Sequence, residues 1–81
     1  MKIYLVTGAA GFIGANFLKY ILNKHKDIFV VILDKLTYAG NLKNIENELK
    51  DKKVEFVKGD ICNNELVENI FSKYDIDYVV N

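Results

Sequence analysis

At 81 residues the chain is short for one domain and too short for two, so its core must be thin. Its 51% hydrophobic and 27% charged residues exclude a disordered chain. A formal net charge of zero, with lysines scattered along the chain and no arginine, excludes the basic stripe of a nucleic-acid binder.

In chain order, Ile3-Tyr4-Leu5-Val6 is an apolar, β-prone run and reads as a buried strand. Lys2 ahead of it gives a superficial likeness to a signal peptide, but the run breaks at Thr7-Gly8. After the loop Gly8-Ala9-Ala10-Gly11 the period becomes helical, with Ile13, Phe17, Tyr20 and Ile21 as the inward face. Phe17 and Tyr20 are therefore expected in the core. Lys24, His25 and Lys26 suit the negative end of that helix.

Phe29 to Leu33 reads as a second buried strand, closed by Asp34. A loop over Lys35 to Asn41 follows, with Gly40 as its flexible point and Asn41 as an N-cap for a short helix carrying Leu42, Ile45 and Leu49. Val54 to Val57 is a third strand, stopped by Gly59-Asp60. Asn63 or Asn64 caps a further helix with Leu66, Val67, Ile70 and Phe71 inward. Asp77 to Val80 begins a fourth strand. The single cysteine, Cys62, is expected as a buried small hydrophobe; it forms no internal disulfide, suggests no metal site, and fits a reducing cytoplasm. No run reaches the ~20 apolar residues of a membrane helix, and no membrane partner is expected.

The order β-α-β-α-β-α-β predicts an α/β fold of Rossmann type: a parallel sheet in strand order 3-2-1-4 with helices on both faces. Residues 1–81 are expected to form the N-terminal part of a nucleotide-binding domain whose sheet is incomplete. Its fourth strand would leave Tyr78, Val79 and Val80 on an unpaired edge, and part of the apolar face around Val6 and Ile32 bare.

The chemistry lies in Thr7-Gly8-Ala9-Ala10-Gly11-Phe12-Ile13-Gly14, between the first strand and the first helix. A pyrophosphate needs donors at close range, and a helix N-terminus offers unpaired N–H groups at a positive dipole end. Gly8 suits the tight turn out of the strand, Gly11 the close approach of phosphate to backbone, and Gly14 the packing of helix on sheet. The spacing G-x-x-G-x-x-G is one residue longer than the G-x-G-x-x-G fingerprint. Asp34 follows Gly14 by about 20 residues, at the end of the second strand, where a carboxylate accepts from ribose hydroxyls and repels a 2′-phosphate. NAD is thus expected over NADP, although Lys35 next door weakens that preference. Asp60, past the end of the third strand, is either a ligand contact or simply the residue of a turn leading to a helix.

At these residues the chain resembles the extended short-chain dehydrogenase/reductase family, which uses the G-x-x-G-x-x-G loop. Leu33-Asp34-Lys35-Leu36-Thr37-Tyr38-Ala39-Gly40-Asn41 narrows the likeness to the dTDP-glucose 4,6-dehydratases, lyases of nucleotide-sugar metabolism in the dTDP-rhamnose pathway. The resemblance spans the whole chain but only the opening part of such an enzyme. It implies tightly bound NAD, with Phe12 and Ile13 at the pyrophosphate, Asp34, Lys35, Leu36 and Thr37 around the adenosine ribose, and Asp60 and Ile61 beside the adenine. It implies dTDP-glucose as substrate, oxidised at C4, dehydrated across C5–C6 and reduced at C6, in a complete enzyme that is cytoplasmic and homodimeric.

The family's Tyr-x-x-x-Lys pair, acid/base pair and sugar-nucleotide domain would lie beyond Asn81, so no catalytic residue is assigned. The chain alone is expected to be inactive, to bind NAD weakly and to self-associate. The alternatives are another extended family member, such as a UDP-sugar 4-epimerase, and a non-catalytic NAD-sensing protein on the same fold.

Overall fold

Strands form where β-branched, aromatic and other apolar residues crowd together. The computed structural model describes residues 1–9, 12–35 and 42–80. In it β1 spans Lys2–Thr7, β2 Ile28–Asp34, β3 Val54–Lys58 and β4 Tyr78–Val80. Among the described residues there are two α-helices, α1 over Phe12–Lys24 between β1 and β2 and α2 over Asn64–Lys73 between β3 and β4. The strands make one parallel sheet in the order β3-β2-β1-β4. Tyr4 stands level with both Val30 of β2 and Tyr78 of β4, and Val30 in turn with Val54 of β3.

Side chains alternate across this sheet, and the alternation divides the core in two. Val6, Val30 and Ile32 face Ala15, Leu18 and Ile21 of α1. Leu5, Val31 and Leu33 face the opposite way, against Leu66, Val67 and Ile70 of α2. Chain order accounts for this. The connections from β1 to β2 and from β2 to β3 advance in one direction, whereas β3 to β4 returns past both. Parallel crossovers are right-handed, so reversing direction reverses the face that is covered. The reversal creates a switch point between β1 and β4. In open α/β sheets, ligands bind beyond the carboxyl ends of the strands at such a point.

Several sequence-based expectations need correction. The helix foreseen around Leu42, Ile45 and Leu49 is two 3-10 turns, Leu42–Ile45 and Glu48–Lys50. Ile45 is fully buried, but the intervening Glu46-Asn47 is exposed, so too short an apolar stripe exists to offset helix nucleation. Asn41, the expected cap, lies outside the described residues. Tyr20 is exposed rather than core: Ala15, Leu18 and Ile21 take the inward face, and the Tyr20 hydroxyl accepts from Lys24 Nζ at 2.9 Å. Phe17 does pack against the core. Phe71 is also exposed, one position beyond the inward-facing Ile70. Cys62 is exposed because it lies in the turn before α2. The face around Val6 and Ile32 is not bare, since α1 covers both. At the other end of α1, the His25 backbone N–H donates to the Ile21 carbonyl at 2.9 Å, a helix-end bond that does not involve its side chain.

Candidate functional site

The site is built from backbone outward. Gly8 leaves β1 with φ 73°, in the left-handed region where a side chain is strained. Its N–H donates to the Leu33 carbonyl at 3.3 Å, tying the β1 exit to the end of β2. Gly14, in the first turns of α1, lies directly over that exit. A Cβ there would run into the Gly8 carbonyl oxygen and stand 2.8 Å from the Ala9 Cα. Gly14 therefore serves the close approach of α1 to the Gly8-Ala9 backbone, a more specific task than packing on the sheet at large.

At the end of β2, Asp34 is the one buried charged residue among those described, with 3% of its surface exposed. Its carbonyl accepts from Gly59 N–H at 3.1 Å, so the ends of β2 and β3 are laced together as well. The chain then turns through Asp60. Its Oδ1 accepts from Cys62 N–H at 2.9 Å, and its Oδ2 lies 3.6 Å from Lys35 Nζ. The Cys62 N–H, foremost, holds the Asp60 carboxyl below its ordinary pKa against the opposing effect of desolvation, and the nearby Lys35 ammonium lowers it further. The Asp60 carbonyl accepts from Asn63 N–H at 2.9 Å, and the Asn63 side chain accepts from Leu66 N–H at 3.1 Å, capping α2.

These ends enclose a cleft of about 220 Å³. It is lined by Gly8 from β1, by Leu33, Asp34 and Lys35 from β2, and by the turn from Gly59 to Cys62 after β3. The structure thus brings five of the sequence-based candidates, Gly8, Asp34, Lys35, Asp60 and Ile61, to one cleft. Phe12 and Ile13 open α1, which Gly14 docks onto the β1 exit. Gly11, Leu36 and Thr37 lie outside the described residues. Sequence reasoning missed Leu33, Gly59 and Cys62 as lining residues. For Gly59 a signal existed: it is a glycine at a strand end, directly before Asp60, which was already a candidate ligand contact. Among the described residues no cluster of His, Cys, Asp or Glu is placed to hold a metal, and no helix is long and apolar enough to cross a membrane.

A parallel sheet in this order, with a glycine turn under the first helix and an acidic residue ending the second strand, defines a Rossmann-type α/β fold. Its structural neighbours are dehydratases and epimerases of the short-chain dehydrogenase/reductase kind. The family model for GDP-mannose 4,6 dehydratase matches residues 5–81, and the chain belongs to that family. It is 44% identical over 81 residues to the dTDP-glucose 4,6-dehydratase of Haemophilus influenzae, covering 100% of this chain and 24% of that protein. The crystal structure of dTDP-glucose 4,6-dehydratase from Bacillus anthracis in complex with NAD superposes with a TM-score of 0.96 at 41% identity, over 100% of this chain and 26% of that one. A UDP-glucose 4-epimerase from Thermotoga maritima, with UDP-glucose, gives a TM-score of 0.77 at 30% identity, over 95% of this chain and 22% of the other. The chain thus spans about a quarter of the length of these relatives.

Proposed function

We propose that this chain is the NAD-binding portion of a dTDP-glucose 4,6-dehydratase, with the adenosine half of the dinucleotide in the cleft between Asp34 and Asp60. The observation that carries this reading is the convergence of Gly8, Asp34, Lys35, Asp60 and Ile61 on one cleft at the carboxyl ends of three strands. The residues suit a dinucleotide. Contact between α1 and the β1 exit tolerates no Cβ at Gly14, which holds the helix N-terminus close to the loop where a pyrophosphate would sit. Gly8, Gly11, Phe12, Ile13 and Gly14 would hold that pyrophosphate. Asp34, Lys35, Leu36 and Thr37 would surround the ribose, and Asp60 and Ile61 would flank the adenine. A bound nicotinamide supplies hydride transfer.

The complete protein would oxidise C4 of dTDP-glucose, eliminate water across C5–C6 and reduce C6. This stretch contributes binding and orientation and no catalytic residue, and the 81-residue chain alone is inactive. The closer superposition on a dehydratase than on an epimerase favours this reaction within the family.

Two measurements on the complete protein test the proposal. Calorimetry should show NAD bound more tightly than NADP. Incubation with dTDP-glucose should yield a 4-keto sugar, detected by its absorbance in alkali. Interconversion of UDP-galactose and UDP-glucose without a keto product would replace the dehydratase by an epimerase. Absence of binding to either dinucleotide would overturn the reading of the cleft itself.

A further inference from the structure

We infer that Asp60 determines cofactor specificity by occupying Lys35, so that the cation beside the ribose carboxylate is withheld from a 2′-phosphate. The inference rests on the proposed placement of the dinucleotide and goes beyond it, because Asp34 alone would carry the discrimination in that placement.

Among the described residues, the charged side chains lining the cleft are Asp34, Lys35 and Asp60. Taken alone, Lys35 would favour NADP. It follows the ribose-side carboxylate directly, and its side chain is half exposed at the cleft mouth. A 2′-phosphate carries about −1.5 to −2 charges near neutral pH and recruits any such ammonium. In this structure Lys35 Nζ instead lies 3.6 Å from Asp60 Oδ2. Asp60 is in turn fixed by its second oxygen, which accepts from Cys62 N–H at 2.9 Å. One partner of the pair is therefore held by the backbone and the other is drawn to it. Two carboxylates and one engaged ammonium leave the cleft net negative, which opposes a third anionic group.

Asp60→Asn keeps an acceptor for Cys62 N–H and removes the charge that engages Lys35. Calorimetry of the complete protein with NAD and NADP gives the ratio of affinities. Loss of an adenine contact affects both cofactors alike and cancels in that ratio. The ratio should move toward NADP by about five- to tenfold at low salt, the size of one charge contact near a protein surface, and less at high salt. Asp60→Asn combined with Lys35→Met should return the ratio to the wild-type value. Glu55→Gln makes the same charge change on an exposed position of β3 outside the cleft and should leave the ratio unmoved. An unchanged ratio in Asp60→Asn, or an equal shift in Glu55→Gln, would overturn the inference while NAD binding by the wild type keeps the cleft assignment. A wild type that binds neither cofactor would overturn both.

Discussion

At the residue scale, the two glycines of the β1 exit are not interchangeable. Gly8 is required by its own backbone angle, Gly14 by what lies opposite it. Gly14 sits in a helix, where alanine is ordinarily the better residue. Here the added methyl meets the Gly8 carbonyl oxygen, and relief must come from moving α1 away from the loop. Gly14→Ala should therefore cost about 1–3 kcal/mol, the range of an overpacked contact, despite its higher helix propensity. Thermal unfolding checks the stability loss, and, on the proposed placement of the dinucleotide, NAD affinity of the same variant should fall because the helix N-terminus retreats from where the pyrophosphate would sit. Gly59 presents the opposite case. A Cβ there meets the tip of the Leu66 side chain, which can rotate, so alanine is tolerated more readily.

At the scale of elements, α2 hangs on its first turn. Its inward face has one buried residue, Ile70, with Leu66 and Val67 partly covered, so packing alone holds it weakly. Asn63→Ala removes the side-chain acceptor of Leu66 N–H and should cost about 1 kcal/mol, seen as a lowered denaturation midpoint with the slope unchanged. That cap was readable from sequence, as were the four strands and their order, because apolar runs punctuated by Gly, Asp and Asn admit few other parallel arrangements. What could not be read had physical causes. Tyr20 and Ile21 are adjacent, and periodicity alone does not say which of two neighbouring apolar residues turns inward. Leu18 settles that choice by being fully buried. The stretch around Ile45 offered the right residue types but too few for a stable α-helix. In the cleft, Asp34 was legible from its distance to Gly14. The Lys35–Asp60 pair joins residues far apart in sequence, and only the folded register of β2 beside β3 brings them together.

For the 81-residue chain as a whole, β4 is one of the two borders of the sheet, β3 being the other. Only three residues long, it pairs with β1 on one side, and Tyr78 and Val79 are about half exposed, at 48% and 54%. An edge of this kind offers unpaired N–H and carbonyl groups to another chain. The isolated 81-residue chain should therefore self-associate in a concentration-dependent way in analytical ultracentrifugation, and Val79→Lys should weaken that association. A sharp monomer boundary at high concentration would show the edge to be harmless. The opposite situation holds at the middle of the sheet. β2 has a neighbour on each side, and all of its residues except Phe29 are buried. Fraying proceeds inward from poorly covered borders, so β2 can open only after one of its neighbours has separated. The carboxylate assigned to the ribose terminates that strand. Under the proposed placement of the dinucleotide, the carboxylate beside the ribose is thus anchored to an interior strand, and the wall it forms would persist through the brief excursions that loosen β4.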